Sequence, residues 1–155
     1  MLWLRPRTGS DTERPVAAWH VWHDGAVLLV SGGLEQQLPE LVDGAEVEVT
    51  VRSKDKGSRL VTFIAAAQRV GPEDDAWQAA VAELHAKRLN PPDGEEQPAR
   101  WARESTVTRL TPTGLVTEAP GRMPRGSGRA EPPSSPATTR GPLPFVVGRR
   151  AGRRR

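Results

Sequence analysis

Between Arg14 and Val70 the apolar residues fall in short runs rich in β-branched and aromatic side chains, a rhythm that belongs to strands. Val16 to Trp22 is the first run, and Ala26 to Val30 (AVLLV) follows after His23-Asp24-Gly25. An Asp-Gly pair between two such runs is a hairpin signal, because both turn positions must accept positive φ. Strands are therefore predicted over 16–23 and 26–31. Ser31-Gly32-Gly33 ends the second, and LEQQLPEL predicts a short helix or helical turn across the end of the sheet. After a turn at Asp43-Gly44, Val47, Val49 and Val51 alternate with Glu46, Glu48, Thr50 and Arg52. That period of two marks a third strand with one face on the core. Lys54 to Ser58 connects it to a fourth, Arg59 to Val70, long enough to bend or bulge around Ala65 to Ala67.

Past Gly71-Pro72 the period lengthens. Ala76, Trp77, Ala80, Val81 and Leu84 lie on one stripe of a helix, with Glu73-Asp74-Asp75 at its start and Lys87 and Arg88 in its last turn, charges that suit the helix dipole at both ends. Asn90 to Gly94 stops this helix. Pro98 to Arg103 predicts a further helical turn, and Ser105 to Leu110 a closing strand that ends at Thr111-Pro112-Thr113-Gly114. Residues 1–13 look polar and irregular, a flexible lead-in. The expected architecture is α+β and mostly β: a small, partly closed antiparallel barrel of five strands, with one long helix before the last strand. The folded domain is expected over 14–114.

Composition changes the picture beyond that point. Residues 115–155 hold seven prolines and six glycines among 41 residues, with few large apolar side chains. Such a segment cannot bury a core, so a disordered tail is expected. The tail also carries the basic charge, with nine Arg against two Glu, while residues 1–114 hold thirteen Lys and Arg against seventeen Asp and Glu. The folded part is thus mildly acidic and offers no basic groove. Its GRRAGRRR ending fits only non-specific contact with nucleic acid phosphates. The chain has no cysteine, which removes disulfides, thiolate metal sites and cysteine nucleophiles. No secretory pattern opens the sequence and its longest apolar run is far short of a membrane span, so a cytoplasmic, membrane-free protein is expected.

Candidate chemistry is sparse. Arg52-Ser53-Lys54 sits at a strand end beside a Gly-containing loop, with Lys56 and Arg59 near in sequence. Arg can grip a phosphate through two parallel hydrogen bonds, Lys adds a point charge and Ser a hydroxyl. The same residues also suit a solvated hairpin turn that keeps an edge soluble. Ser31 and Gly32 permit close backbone approach to a ligand, or simply make a turn. Trp19 and Trp22 offer flat rings for a planar ligand or for packing. His20 and His23 are candidate bases or phosphate partners but have poor metal geometry, and no metal site is expected. His85 reads as a cation near a helix C-terminus.

The order of these features resembles the pyridoxamine 5′-phosphate oxidase-like proteins, the FMN-binding split-barrel family with its deazaflavin-using relatives. The Trp-bearing first strand, the Asp-Gly hairpin, a second strand ending in Ser-Gly, a charged third strand, a longer fourth strand and helix, and a last strand reading STVTRLTP carry the likeness over about 14–113. The resemblance implies a split barrel and a homodimer with FMN (alternatively the deazaflavin F420, or no cofactor) in grooves between subunits. It implies an oxidoreductase moving a hydride between flavin and a small molecule, or else a non-catalytic binding module. The family commonly carries a Ser-Arg-Lys type cluster after its second strand, where this chain has Ser31-Gly32-Gly33-Leu34-Glu35-Gln36 and no base. The implied contacts are therefore Arg52, Ser53 and Lys54 for the phosphate, Ser31 and Gly32 for close approach, and Trp22 and Trp101 against the ring.

Overall fold

The computed structural model describes residues 1–7, 14–89, 91–124 and 126. Seven strands form one antiparallel sheet: β1 (Leu2–Pro6), β2 (Val16–Ala18), β3 (Val21–His23), β4 (Ala26–Ser31), β5 (Glu46–Arg52), β6 (Arg59–Val70) and β7 (Thr106–Glu118). Two helices, α1 (Trp77–Lys87) and α2 (Gln97–Glu104), lie between β6 and β7 in sequence, with a single 3₁₀ turn at Gly94–Glu96 before α2. The sheet order is β2-β1-β5-β6-β7-β4-β3. Its two outermost strands, β2 and β3, are separated in sequence only by Trp19 and His20. Three Cα spacings span at most about 11 Å, so the sheet must curl until its edges nearly meet. The predicted barrel is present as a split barrel.

The seam explains why the predicted 16–23 strand is two strands. Its first half pairs with β1 (Ala18↔Leu2) and its second with β4 (Val21↔Leu28), and the chain changes partner at Trp19-His20. The backbone of Trp19 is served by a side chain instead. Gln36 accepts from the Trp19 N–H (2.8 Å) and donates to the Trp19 carbonyl (2.9 Å) and the Val30 carbonyl (3.1 Å). One amide thereby stitches the kink to β4.

Two apolar clusters hold the layers. Leu2, Leu4, Val27, Leu29, Val47, Val49 and Leu110 pack with their neighbours inside the barrel. Leu28, Val30, Val70 and Val107 face outward against Trp77, Val81, Leu84 and Trp101 of the helices. The unbroken run AVLLV follows directly, since β4 is buried on both faces. On β5, Val47 and Val49 are inside, while Glu48 and Glu46 pair on the outer face with Arg5 of β1 (2.8 Å) and with Arg7 just beyond it (2.6 Å).

Several expectations are corrected. The lead-in is not irregular over its first residues: Leu2 and Leu4 are fully buried, and β1 pairs with both β2 and β5. Pro6 fits this strand because the Arg7 N–H bonds to β5 through Glu46 (2.9 Å), so alternation turns the Pro6 nitrogen toward β2, whose pairing has already ended at Leu4. The rest of 8–13 lies outside the described residues. LEQQLPEL is not helical. The chain turns instead at Gly33-Leu34, with the Glu35 N–H bonded to the Gly32 carbonyl (3.0 Å), and the adjacent Glu35 and Gln36 side chains serve the helices and the seam respectively. The closing strand continues to Glu118, so 115–118 belongs to the sheet, and β7 gains residues relative to β6 between Pro112↔Ala65 and Val116↔Phe63. The expected tail from 127 onward lies outside the described residues. Glu73 to Asp75 precede α1 as a turn rather than opening it, with Asp74 accepting from the Gly71 N–H at 2.6 Å. Pro98 to Arg103 belongs to a full helix, α2.

If the Gln36 amide closes the seam, Gln36→Ala should lower the unfolding free energy by about 1–3 kcal/mol by leaving the Trp19 backbone unpaired. A urea melt with an unchanged slope would show this as a lower midpoint.

Candidate functional site

Alternation along the strands places a polar row at the mouth of the barrel. Leu29, Ala67 and Leu110 point inside, so Ser31, Arg69, Thr108 and Thr106 stand on the same face, further toward the end. Ladder pairing makes them neighbours: Ser31↔Thr106 across β4 and β7, and Thr108↔Arg69 across β7 and β6. The segment 37–43 crosses in front as a lip, with Leu38 and Leu41 seated against the interior core. Between lip and row runs an open groove of about 490 Å³. Its floor carries three hydroxyls and Arg69; its lip contributes Leu38, Pro39, Leu41 and Val42, with Glu40 and Asp43 among them.

The lip is fixed at both ends. At its far end Asp43 accepts from the Arg69 N–H (2.5 Å) and the Gly44 N–H reaches the Ala67 carbonyl (2.8 Å). At its near end stands Glu35, whose side chain is only 2% exposed. Glu35 accepts from Arg100 (2.9 Å) and the Trp101 indole N–H (2.9 Å), and pairs with Arg88 (2.8 Å). Arg100 also donates to Asp93 at 2.6 Å, and Arg88 lies 5.2 Å from the Trp19 ring centre. Burial pushes the Glu35 carboxyl up, but the hydrogen bonds from Arg100 and Trp101 and the charges of Arg88 and Arg100 outweigh it, leaving it below its ordinary pKa. Hydrogen bonding from Arg100 likewise holds Asp93 low. Glu35 is therefore a structural anion turned toward the helices.

The residues singled out from sequence are divided by this fold. Ser31 and Gly32 line the groove. Gly32 and Gly33 both take positive φ, and their close approach is to α2: a Cβ on Gly33 would stand 3.0 Å from the Glu104 carbonyl. Arg52, Ser53 and Lys54 are at the other end of the sheet. Arg52 pairs with Arg59 and the groove row with the Val70 end of β6, about 35 Å of strand away. There Arg52 donates to the Gly57 carbonyl (2.5 Å) and lies 5.5 Å from the Trp3 ring centre, and Ser53 receives the Lys56 N–H (3.3 Å). The hairpin itself thus uses Arg52 and Ser53, and Lys54 is exposed. Trp22 is 57% exposed on the edge strand β3. Trp101 is fully buried, so within this chain it has no ring face open to a ligand. Arg69 and Thr108 escaped the sequence reading because only cross-strand register brings them beside Ser31.

The histidines stay out of the groove. His20 is at the seam, where burial and the N-terminal charge lower its pKa and its Nδ1 is buried without a partner. His23 is 3.9 Å from Glu83, and His85 meets Gln97 at 3.0 Å. Among the described residues no three His, Asp or Glu side chains cluster to hold a metal, and no helix is long and apolar enough to cross a membrane.

No protein-family model matches the chain, and no curated protein matches it. Among solved structures, the fold is similar to the crystal structure of HutZ, the heme storage protein from Vibrio cholerae. The TM-score is 0.50 at 16% identity, covering 76% of this chain and 87% of that chain. At that identity the likeness shows the split-barrel fold.

Replacing Glu35 by Gln should cost about 3–5 kcal/mol, because two arginines lose their shared counter-charge in a buried setting. A carboxyl with a depressed folded pKa contributes stability that is present above its unfolded pKa and lost as pH falls through the folded value. Denaturant melts from pH 7 downward should therefore show the wild type losing stability below the ordinary glutamate range, and Glu35→Gln lacking that share of the slope.

Proposed function

We propose that this chain is a cofactor-binding split barrel that takes a flavin-class ligand, FMN or a deazaflavin, in the groove at the barrel mouth. The observation that carries the reading is the groove's pairing of a lip that presents Leu38, Pro39, Leu41 and Val42 with a polar floor, at a volume within the range of cofactor sites. The residues fit such a group: Leu38, Pro39, Leu41 and Val42 supply surface for a ring system, and Ser31, Thr106, Thr108 and Arg69 supply donors for a hydroxylated, anionic side chain. A bound flavin would supply the hydride chemistry, and the chain would supply binding and orientation. On this reading the activity is oxidoreduction of a small molecule. A homodimer belongs to the same proposal: Leu60 on β6 and Leu115 and Val116 on β7 are exposed large apolar side chains of the kind a second copy would cover.

The heme named for HutZ is also a planar, anion-bearing molecule. Here the lining side chains among the described residues include no His, Cys, Met or Tyr, the usual protein ligands of haem iron, so flavin is the better match. A second reading, a binding module without catalysis, is favoured by one observation. The position after β4 where the resemblance calls for bases holds Glu35, already neutralised by Arg88 and Arg100.

Visible absorption spectra of the purified protein, titrated separately with FMN, deazaflavin and haemin, decide among these. The proposal expects a perturbed, saturable spectrum with one flavin. Haemin alone giving a bound spectrum would contradict it, and binding of none would leave the non-catalytic module.

A further inference from the structure

The chain departs from the family pattern by lacking bases after β4, yet a phosphate needs a cation. Among the described residues most arginines are already engaged: Arg5 with Glu48, Arg7 with Glu46, Arg59 with Glu118, Arg109 with Asp24, and both Arg88 and Arg100 with Glu35. Arg52 is held by its own hairpin and by Trp3. Arg69 differs. It lines the groove, only its backbone N–H is used, by Asp43, and its guanidinium pairs with none of the described residues. Thr108 lies directly across from it, and Ser31 and Thr106 form the neighbouring pair. The hydroxyls of these three residues make no hydrogen bond to another described side chain.

Resting on the flavin reading, we infer that Arg69 is the anion anchor of the groove. It holds the ligand's terminal phosphate on the β6-β7-β4 floor together with the hydroxyls of Ser31, Thr106 and Thr108. The anchor has moved from the end of the second predicted strand to β6, and the ligand class is a phosphomonoester rather than an uncharged polyol. Glu40 and Asp43 also line the groove and oppose an anion. Asp43 is engaged by the Arg69 N–H, and both carboxylates are exposed. Direct charge-assisted hydrogen bonds change affinity about tenfold to a hundredfold. A solvent-screened charge several Å away changes it about fivefold at most. The contact wins, and Glu40 weakens it.

The test compares FMN with riboflavin, which lacks only the phosphate, by fluorescence titration of the full chain and of R69Q, E40Q and the double variant R52Q with K54Q. In R69Q, FMN affinity should fall about tenfold or more while riboflavin affinity stays within about twofold. E40Q should tighten FMN severalfold, and R52Q with K54Q should change neither. An unchanged FMN-to-riboflavin ratio in R69Q, or a ratio lost in the hairpin variant, would overturn the assignment, as would E40Q weakening FMN. Calorimetric titration with inorganic pyrophosphate separates this inference from the flavin reading. Heat of binding lost in R69Q, with no flavin bound, would sink the flavin reading and keep the anchor. No pyrophosphate binding and no flavin binding would sink both. Thermal melts of R69Q matching wild type show that the fold is intact.

Discussion

The Gln36 amide closing on the Trp19 backbone is the contact on which the rest of this structure depends. A sheet whose two edges are consecutive pieces of one strand can close only if the chain leaves one neighbour and joins another. At the point of transfer its N–H and C=O lose their ladder partners, and buried backbone groups are rarely left that way. Gln36 offers one acceptor and two donors in a single planar group, enough to satisfy Trp19 on both sides and reach Val30 as well. A carboxylate at this place would lack the donors, Lys or Arg the acceptor, and a hydroxyl the reach.

That contact also sets up the groove. Gln36 is pinned to the seam and Glu35, its neighbour, to Arg88, Arg100 and Trp101. The chain emerging after them crosses the barrel mouth, where Leu38 and Leu41 seat it until Asp43 and Gly44 return it to β6. The polar row of Ser31, Thr106, Thr108 and Arg69 then becomes one wall of a groove instead of an open sheet end. The ion-pair network is costly to assemble in a buried place, and such networks often serve specificity more than stability. Here it fixes where the helices and the lip meet.

How much of this could be read from the sequence depends on whether a signal was local. The Asp24-Gly25 hairpin, the alternating valines of β5, the long β6 and the stripe of α1 are periodic patterns held within a few residues, and each element stands where its pattern placed it. β1 has only five residues, and its Leu-Trp-Leu alternation is followed at once by polar chain that masks it. The break at Trp19-His20 has no local signature, because it exists only to change partners. Glu35 and Gln36 read as helix formers by composition, and tertiary hydrogen bonds overrode that preference. The candidate site shows the same divide: Ser31-Gly32 was visible as a strand end, whereas Arg52 and Ser53 are engaged within their own hairpin and Arg69 needed the register of three strands.

The central claim is the location of the ligand at the barrel mouth. It is tested most directly by mapping backbone amide chemical shifts of the full chain as FMN is added. The account predicts perturbations concentrated at Ser31, Gly32, Arg69, Thr106 and Thr108 and along the lip from Gln37 to Asp43. Perturbations centred instead on the hairpin from Arg52 to Ser58, or a spectrum that FMN leaves unchanged, would contradict it.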